Sequence, residues 1–239
     1  NFPIVQEVQK SSGLPVTYAN DANAAAYGEY WCGAGQSFHS MVLLTLGTGI
    51  GCGVIIGDLL VEGENSHGAE GGHIIVDMND SARVCPCGQK GHLEGNASAT
   101  AVIARAHEAL KSSPKTSVSN RLSQGEELTP KLLAEEADAG DAFSLELVME
   151  TARYLGIGIV TMLHMIDPTG VVLGGAMTFG GGEHPLGRKF LERIYQEVRA
   201  RAFPIVSSRI TIDFAELGGD AGYIGAAGLA RQAANKLKA

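Results

Sequence analysis

Residues 40–57 read Ser-Met-Val-Leu-Leu-Thr-Leu-Gly-Thr-Gly-Ile-Gly-Cys-Gly-Val-Ile-Ile-Gly. No charge interrupts the stretch, and it is about as long as a membrane span requires. Five glycines (47, 49, 51, 53 and 57) argue against that use. Gly47-Thr48-Gly49-Ile50-Gly51 lies midway between two apolar runs, Met41–Leu46 and Cys52–Ile56. Buried strand, glycine turn, buried strand accounts for both halves and for the centre. Gly57-Asp58 is a second hairpin signal, leading into Leu59–Val61.

Working outward, helices and strands alternate. Pro3–Lys10 has a short apolar face, Leu14–Ala19 is extended, and Asn20-Asp21 opens a helix over Ala22–Trp31. On the other side, Glu62–Gly95 is irregular and rich in Gly, His and Cys, with a strand expected at His73–Asp77. Helices are predicted at Ala97–Lys111, at Thr129–Ala137 behind an exposed loop over Ser112–Thr129, and at Asp141–Ile166. The last of these is apolar almost all round and holds Gly156 and Gly158, so it is expected to be buried and closely approached. Val171–Leu173 and Ile210–Phe214 read as strands flanking an amphipathic helix at Pro185–Ala202, and an Ala-rich helix closes the chain. The pattern is that of an α/β protein without solenoid repeats.

Glycine supplies 32 of 239 residues, well above the usual share of about 7%. With 8 Pro and no G-X-Y period the chain is neither collagenous nor Pro-rich and disordered. A net charge of −8 without clustered Lys or Arg makes it a poor general binder of nucleic acid. The chain begins Asn1-Phe2-Pro3, with no Met and no signal-peptide pattern. Four cysteines, two of them spaced as Cys85-Pro86-Cys87, point to a metal site in a reducing compartment rather than a disulfide framework. Trp31, Cys32, Cys52 and His164 read as packing residues.

Four constellations can carry chemistry. The turn from Thr45 to Gly53 can present successive backbone N–H groups to phosphate oxygens, or be a tight hairpin and no more. It matches neither the dinucleotide fingerprint nor a P-loop. Asn20-Asp21-Ala22-Asn23 offers either a general base or a plain helix cap. His73, Cys85, Cys87 and His92 make a possible tetrahedral S2N2 set for a structural zinc, with His67 as a competing ligand; the alternative is two reduced cysteines and two surface histidines. Leu173-Gly174-Gly175 and Leu217-Gly218-Gly219-Asp220 follow strands, where α/β folds open ligand crevices, though ordinary left-handed turns explain either one.

Asn20-Asp21-Ala22-Asn23, Leu46–Gly53, Glu70…His73 and Cys85-x-Cys87-Gly-x-x-Gly-x-Leu-Glu94 follow one another in this order. Together they resemble the ROK family (repressor, open reading frame, kinase), and within it the bacterial sugar kinases that act on glucose. The resemblance spans essentially the whole chain. It implies an actin-like, ribonuclease-H-like α/β fold of two domains, ATP with Mg2+, a structural Zn2+, a hexose substrate, a cytoplasmic location and a homodimer. It also implies roles. Asp21 would take the proton from the 6-hydroxyl of the sugar, with Asn20, Glu70, His73 and Glu94 holding other hydroxyls. Thr48 and Gly49 would bind phosphate, Gly174 and Gly175 would flank adenosine, and His73, Cys85, Cys87 and His92 would hold zinc. Fructose, mannose or an N-acetylhexosamine as substrate, and a sugar-responsive repressor, are the alternatives.

Three departures accompany the resemblance. His92 replaces the family's third zinc cysteine, and Ala19 stands where glutamate is common. The Asp-x-Gly-Gly-Thr phosphate hairpin expected near the family's N-terminus is absent from these residues. The expectation is therefore a chain whose residues 1–22 trail from a small N-terminal domain. Residues 23–222 would form the large domain with its zinc loop at 70–94, and 223–239 a C-terminal helix packing back on the small one. Alone, such a chain should be a weak kinase or an inactive one.

Overall fold

Ser40–Leu46 and Ile50–Ile56 are antiparallel strands, Leu46 facing Ile50 across the turn, so the uncharged stretch is a hairpin inside a sheet. The computed structural model describes residues 2–236. Along them run α1 (Ile4–Ser12), α2 (Asp21–Cys32), β1 (Ser40–Leu46), β2 (Ile50–Ile56) and β3 (Leu59–Leu60). Next come α3 (Leu93–Ala97), α4 (Ala99–Leu110), α5 (Val118–Ser123), α6 (Pro130–Asp138) and α7 (Ala142–Ile166). The chain ends with β4 (Gly170–Gly174), α8 (Pro185–Arg201), α9 (Pro204–Ser207), β5 (Thr211–Phe214) and α10 (Ala221–Lys236). The sheet order is β3-β2-β1-β4-β5. β1 pairs in parallel with β4, and β4 with β5, while the β1–β2–β3 side is antiparallel.

Alternation along the strands divides the interior in two, because successive side chains leave a strand on opposite faces. Val42, Leu44, Leu46, Cys52, Val54, Val171 and Leu173 enter the larger core with Leu93, Val102, Leu155, Ile159, Phe190 and Ile194 from the helices. Met41, Leu43, Ile55 and Val172 face the other way, onto Ala26 of α2. The long helix is held by its glycines as expected. A Cβ on Gly156 would sit 3.0 Å from the Ile194 carbonyl of α8, and Gly158 receives Leu93.

Glycine also sets the opposite layer. A Cβ on Gly53 would overlap Ala26, and one on Gly51 would lie 2.9 Å from Ala22, so α2 rests directly on the β2 backbone. α10 then crosses α2 on Gly28 and Gly225, each pressed against a carbonyl of the partner helix. The Arg231 guanidinium lies 4.6 Å from the Trp31 ring centre at this crossing.

Several sequence expectations need correction. Ser112–Thr129 is not simply an exposed loop: it contains α5 and buries Val118 and Leu128, two anchors too sparse to show a period. His73–Asp77 is no strand; Gly71–His73 is a 3-10 turn, and Ile75 makes only an isolated bridge to His92. The helix read at Ala97–Lys111 is broken at Ser98, whose hydroxyl oxygen accepts from the Ala101 N–H at 3.2 Å and caps α4. Cys52 is buried, but Cys32 and His164 are exposed, and the His164 Nε2 accepts the Phe203 N–H at 3.2 Å. Residues 237–239 of the last helix lie outside the described residues. Among the described residues no helix is long and apolar enough to cross a membrane.

Candidate active site

The candidate residues gather where β1 and β4 end. These strands are parallel, so their carboxyl ends share one edge, the place where such sheets open crevices. The glycine turn follows β1 directly. Gly175, with φ of 89°, packs against the Leu46 backbone at the end of that strand. α2 starts at the same edge, since Ala22 lies beneath Gly51 just beyond the turn.

At the start of α2 the two readings of Asn20-Asp21 separate. Asn20 is the cap: its Oδ1 accepts the Ala22 N–H at 2.9 Å and the Asn23 N–H at 3.4 Å. Asp21 is exposed, and its Oδ1 accepts the Ala22 N–H at 2.8 Å. The helix end therefore does not need Asp21 as its cap, and the carboxylate faces solvent beside the turn with the helix dipole behind it.

The turn is held from outside. Ile50 N–H donates to Glu94 Oε2 at 2.9 Å, Thr100 Oγ1 donates to the Thr48 carbonyl at 2.9 Å, and Ala99 N–H donates to the Gly47 carbonyl at 2.9 Å. Thr48 is exposed, and a side chain on Gly49 would run into the Glu94 carboxylate. Thr100 and Ala99 escape a reading from sequence because nothing in their spacing links them to Gly47–Gly49. The signal available in the sequence is Ser98 itself, a residue type favoured as an N-cap.

His73, Cys85, Cys87 and His92 come together with one ligand atom from each lying within 4.8 Å of the others. Cys85 Sγ is 3.8 Å from His73 Nδ1, and Cys87 Sγ is 3.2 Å from His92 Nδ1. Tetrahedral zinc with bonds of about 2.0–2.3 Å has ligand edges of about 3.3–3.8 Å, so this donor set fits the ion. His67 is not in the cluster. Gly88 and Gly91 turn the loop with positive φ. His73 has a second task, because its Nε2 lies 4.0 Å from Glu70 Oε2 and can be oriented through it. Burial pushes the Cys85 thiol up to about 11, so without a metal it stays protonated near neutral pH.

Beyond Gly174-Gly175 lies a cavity of about 580 Å3 lined by Met177, Phe179, Lys131, Glu135, Asp138 and His184, none of them singled out from sequence. Gly174 itself is buried in β4, and Gly175 is exposed, one residue before Ala176 of the cavity wall. A second cavity, about 550 Å3, lies between the loop carrying the Cys/His cluster and α4, with Cys85, Glu94, Ser98 and Thr100 in its wall. Leu217-Gly218-Gly219-Asp220 serves a different end. The buried carboxylate of Glu29 in α2 accepts N–H bonds from Ala34, Glu216 and Leu217 at 2.8–3.1 Å, tying that segment down.

The model of the family described as ROK matches residues 1–233. The chain belongs to the ROK family. A glucokinase of Halalkalibacterium halodurans is 36% identical over 238 residues, which is 100% of this chain and 70% of that protein. The crystal structure of a ROK family glucokinase from Streptomyces griseus in complex with glucose and AMPPNP superposes with a TM-score of 0.80 at 34% identity. That match covers 96% of this chain and 72% of the other. A xylose repressor of Caldicellulosiruptor bescii is 30% identical over 220 residues, 91% of this chain and 52% of that protein. Kinases and repressors of this ROK protein's family thus share its architecture, and the fold is the actin-like one of ROK sugar kinases.

Proposed function

We propose that this ROK protein is an ATP-dependent sugar kinase that phosphorylates the 6-hydroxyl of a hexose, with glucose as the expected substrate. One observation carries the reading: Asn20 caps α2, which leaves the Asp21 carboxylate exposed at the edge where the glycine turn lies. A repressor has no need of a base there. Asp21 would accept the hydroxyl proton as the sugar oxygen attacks the γ-phosphorus of ATP, and the turn at Thr48 and Gly49 would hold phosphate through its N–H groups. Asn20, Glu70, His73 and Glu94 would hold sugar hydroxyls, and Gly174-Gly175 would open onto the adenosine side. Mg2+ bound with ATP supplies charge neutralisation of the phosphates. His73, Cys85, Cys87 and His92 would hold zinc with no ligand position left open, so its contribution would be structural.

Residues 23–222 would form the large domain, 1–22 the end of the small one, and 223–239 the helix that returns to it. A homodimer and a cytoplasmic location complete the reading. The similarity to glucokinases and the S. griseus complex supports it. ADP release coupled to glucose, fructose, mannose and N-acetylmannosamine, measured on the full-length protein, tests it. Turnover should be highest with glucose; preference for an N-acetyl sugar would overturn the choice of substrate, and no turnover with any sugar would overturn the activity. The xylose repressor relationship sustains the second reading, a sugar-responsive regulator, which predicts sugar binding without ADP release.

A further inference from the structure

The metal cluster and the glycine turn are mechanically one unit. Ile50, the first residue of β2, is gripped from two sides by neighbours of the two histidine ligands. Its N–H donates to Glu94 Oε2 at 2.9 Å, and Glu94 follows His92 by two residues. Its carbonyl is covered by Gly72, the residue before His73, so tightly that a Cβ on Gly72 would overlap the oxygen. Glu94 Oε1 meanwhile lies 3.5 Å from Cys85 Sγ. The loop between the histidines is otherwise held by backbone bonds among its own residues, such as Cys85 N–H to the Gln89 carbonyl at 2.7 Å and Gly91 N–H to the Arg83 carbonyl at 2.9 Å, and by Arg83 pairing with Glu108 of α4. Ile75, Met78 and Val84 are exposed, and its pairing consists of the isolated bridges Ile75–His92 and Val84–Lys90. In a loop with these exposed apolar side chains and no regular strand pairing, a bound metal would add to the ordering.

We propose that Glu94 is a positioning residue through which metal in the His73–Cys85–Cys87–His92 cluster sets the conformation of the Gly47–Ile50 turn, and so its hold on nucleotide phosphates. The inference rests on the reading of that turn as a phosphate site, and it adds to Glu94 a task distinct from holding sugar. Metal and nucleotide should then bind cooperatively although no ligand of one touches the other, each favouring the ordered turn.

Residue-resolved amide exchange of the full chain tests this directly. Stripping zinc with a chelator should speed exchange at Ile50 about tenfold or more, the scale of losing a bond to a charged acceptor, while Leu155 and Ile159 in α7 stay protected. In zinc-loaded protein Glu94→Ala should expose the same amide, and Glu94→Gln, whose amide oxygen still accepts, should restore protection. In turnover assays Glu94→Ala should raise the KM for ATP as well as for sugar, whereas a residue that only holds sugar would move the sugar KM alone. Protection of Ile50 that survives zinc removal in folded protein, or that survives Glu94→Ala, would overturn the proposal. If chelation unfolds the whole chain, the Ala and Gln variants in zinc-loaded protein decide it. ADP that leaves residues 47–50 of the zinc-loaded protein unperturbed would instead refute the phosphate reading, and exchange at Ile50 still judges the coupling.

Discussion

Asp21 and Asn20 show how adjacent residues of similar chemistry take different work. Because Asn20 holds the Ala22 and Asn23 N–H groups, Asp21→Asn leaves the helix capped. It should therefore lower kcat by about 10²–10⁴ with little change in melting temperature or zinc content. Steady-state kinetics beside a thermal melt checks this; a variant that loses fold and activity together would assign Asp21 to structure. The site was legible at this scale where chemistry repeats in short range, as in Cys85-Pro86-Cys87 with His92. It was not legible where a partner is set by tertiary contact: Glu29 looks like any helix glutamate until Glu216 and Leu217 fold back on it. Removing that buried carboxylate takes the acceptor from three N–H groups and loosens the segment it ties down, so Glu29→Ala should cost about 1–3 kcal/mol in chemical denaturation.

Elements were read well where a period runs long and poorly where two or three contacts decide. The nearly uniform apolar face of α7 announced its burial, whereas α5 is fixed by Val118 and by Arg121 reaching Glu126, Glu135 and Glu136. Helix ends and pairs also carry a pH dependence. Burial opposes charge on Asp141, but bonds from Ser144, Thr116 and Ser117 hold its carboxyl below the usual range at the start of α7. Glu197, likewise opposed by burial, is held low by Arg201 and Arg193 in α8. A carboxyl depressed in the folded state contributes stability that is complete above the unfolded value and is lost as pH falls through the folded one. Stability should thus be level above about pH 4.5 and fall on further acidification, with Asp141→Asn flattening part of that fall in denaturant titrations.

At the scale of the molecule, glycine proves to be chiefly a packing device. Gly47 and Gly49 make the turn, but Gly51 and Gly53 seat α2 on the sheet, and Gly28 and Gly225 let α10 lie against α2. Gly225→Val should cost about 3 kcal/mol or more, because the methyl groups would have to enter the Ala24 backbone. Purified as these 239 residues, the protein is expected to show little hexose-dependent ADP release, because the Asp-x-Gly-Gly-Thr hairpin implied by the family resemblance is not among them. Rapid turnover by these residues would show that this first phosphate hairpin is not needed for the reaction.

The crossing of α2 and α10 holds the only tryptophan, Trp31, under the guanidinium of Arg231. Intrinsic emission is therefore a local gauge of that joint, with no competing indole elsewhere in the sequence. The joint belongs to the helix that carries Asp21 at its far end. Any ligand that tilts this helix should register as a shift or quenching of a single fluorophore, so sugar titrations can be followed without a label.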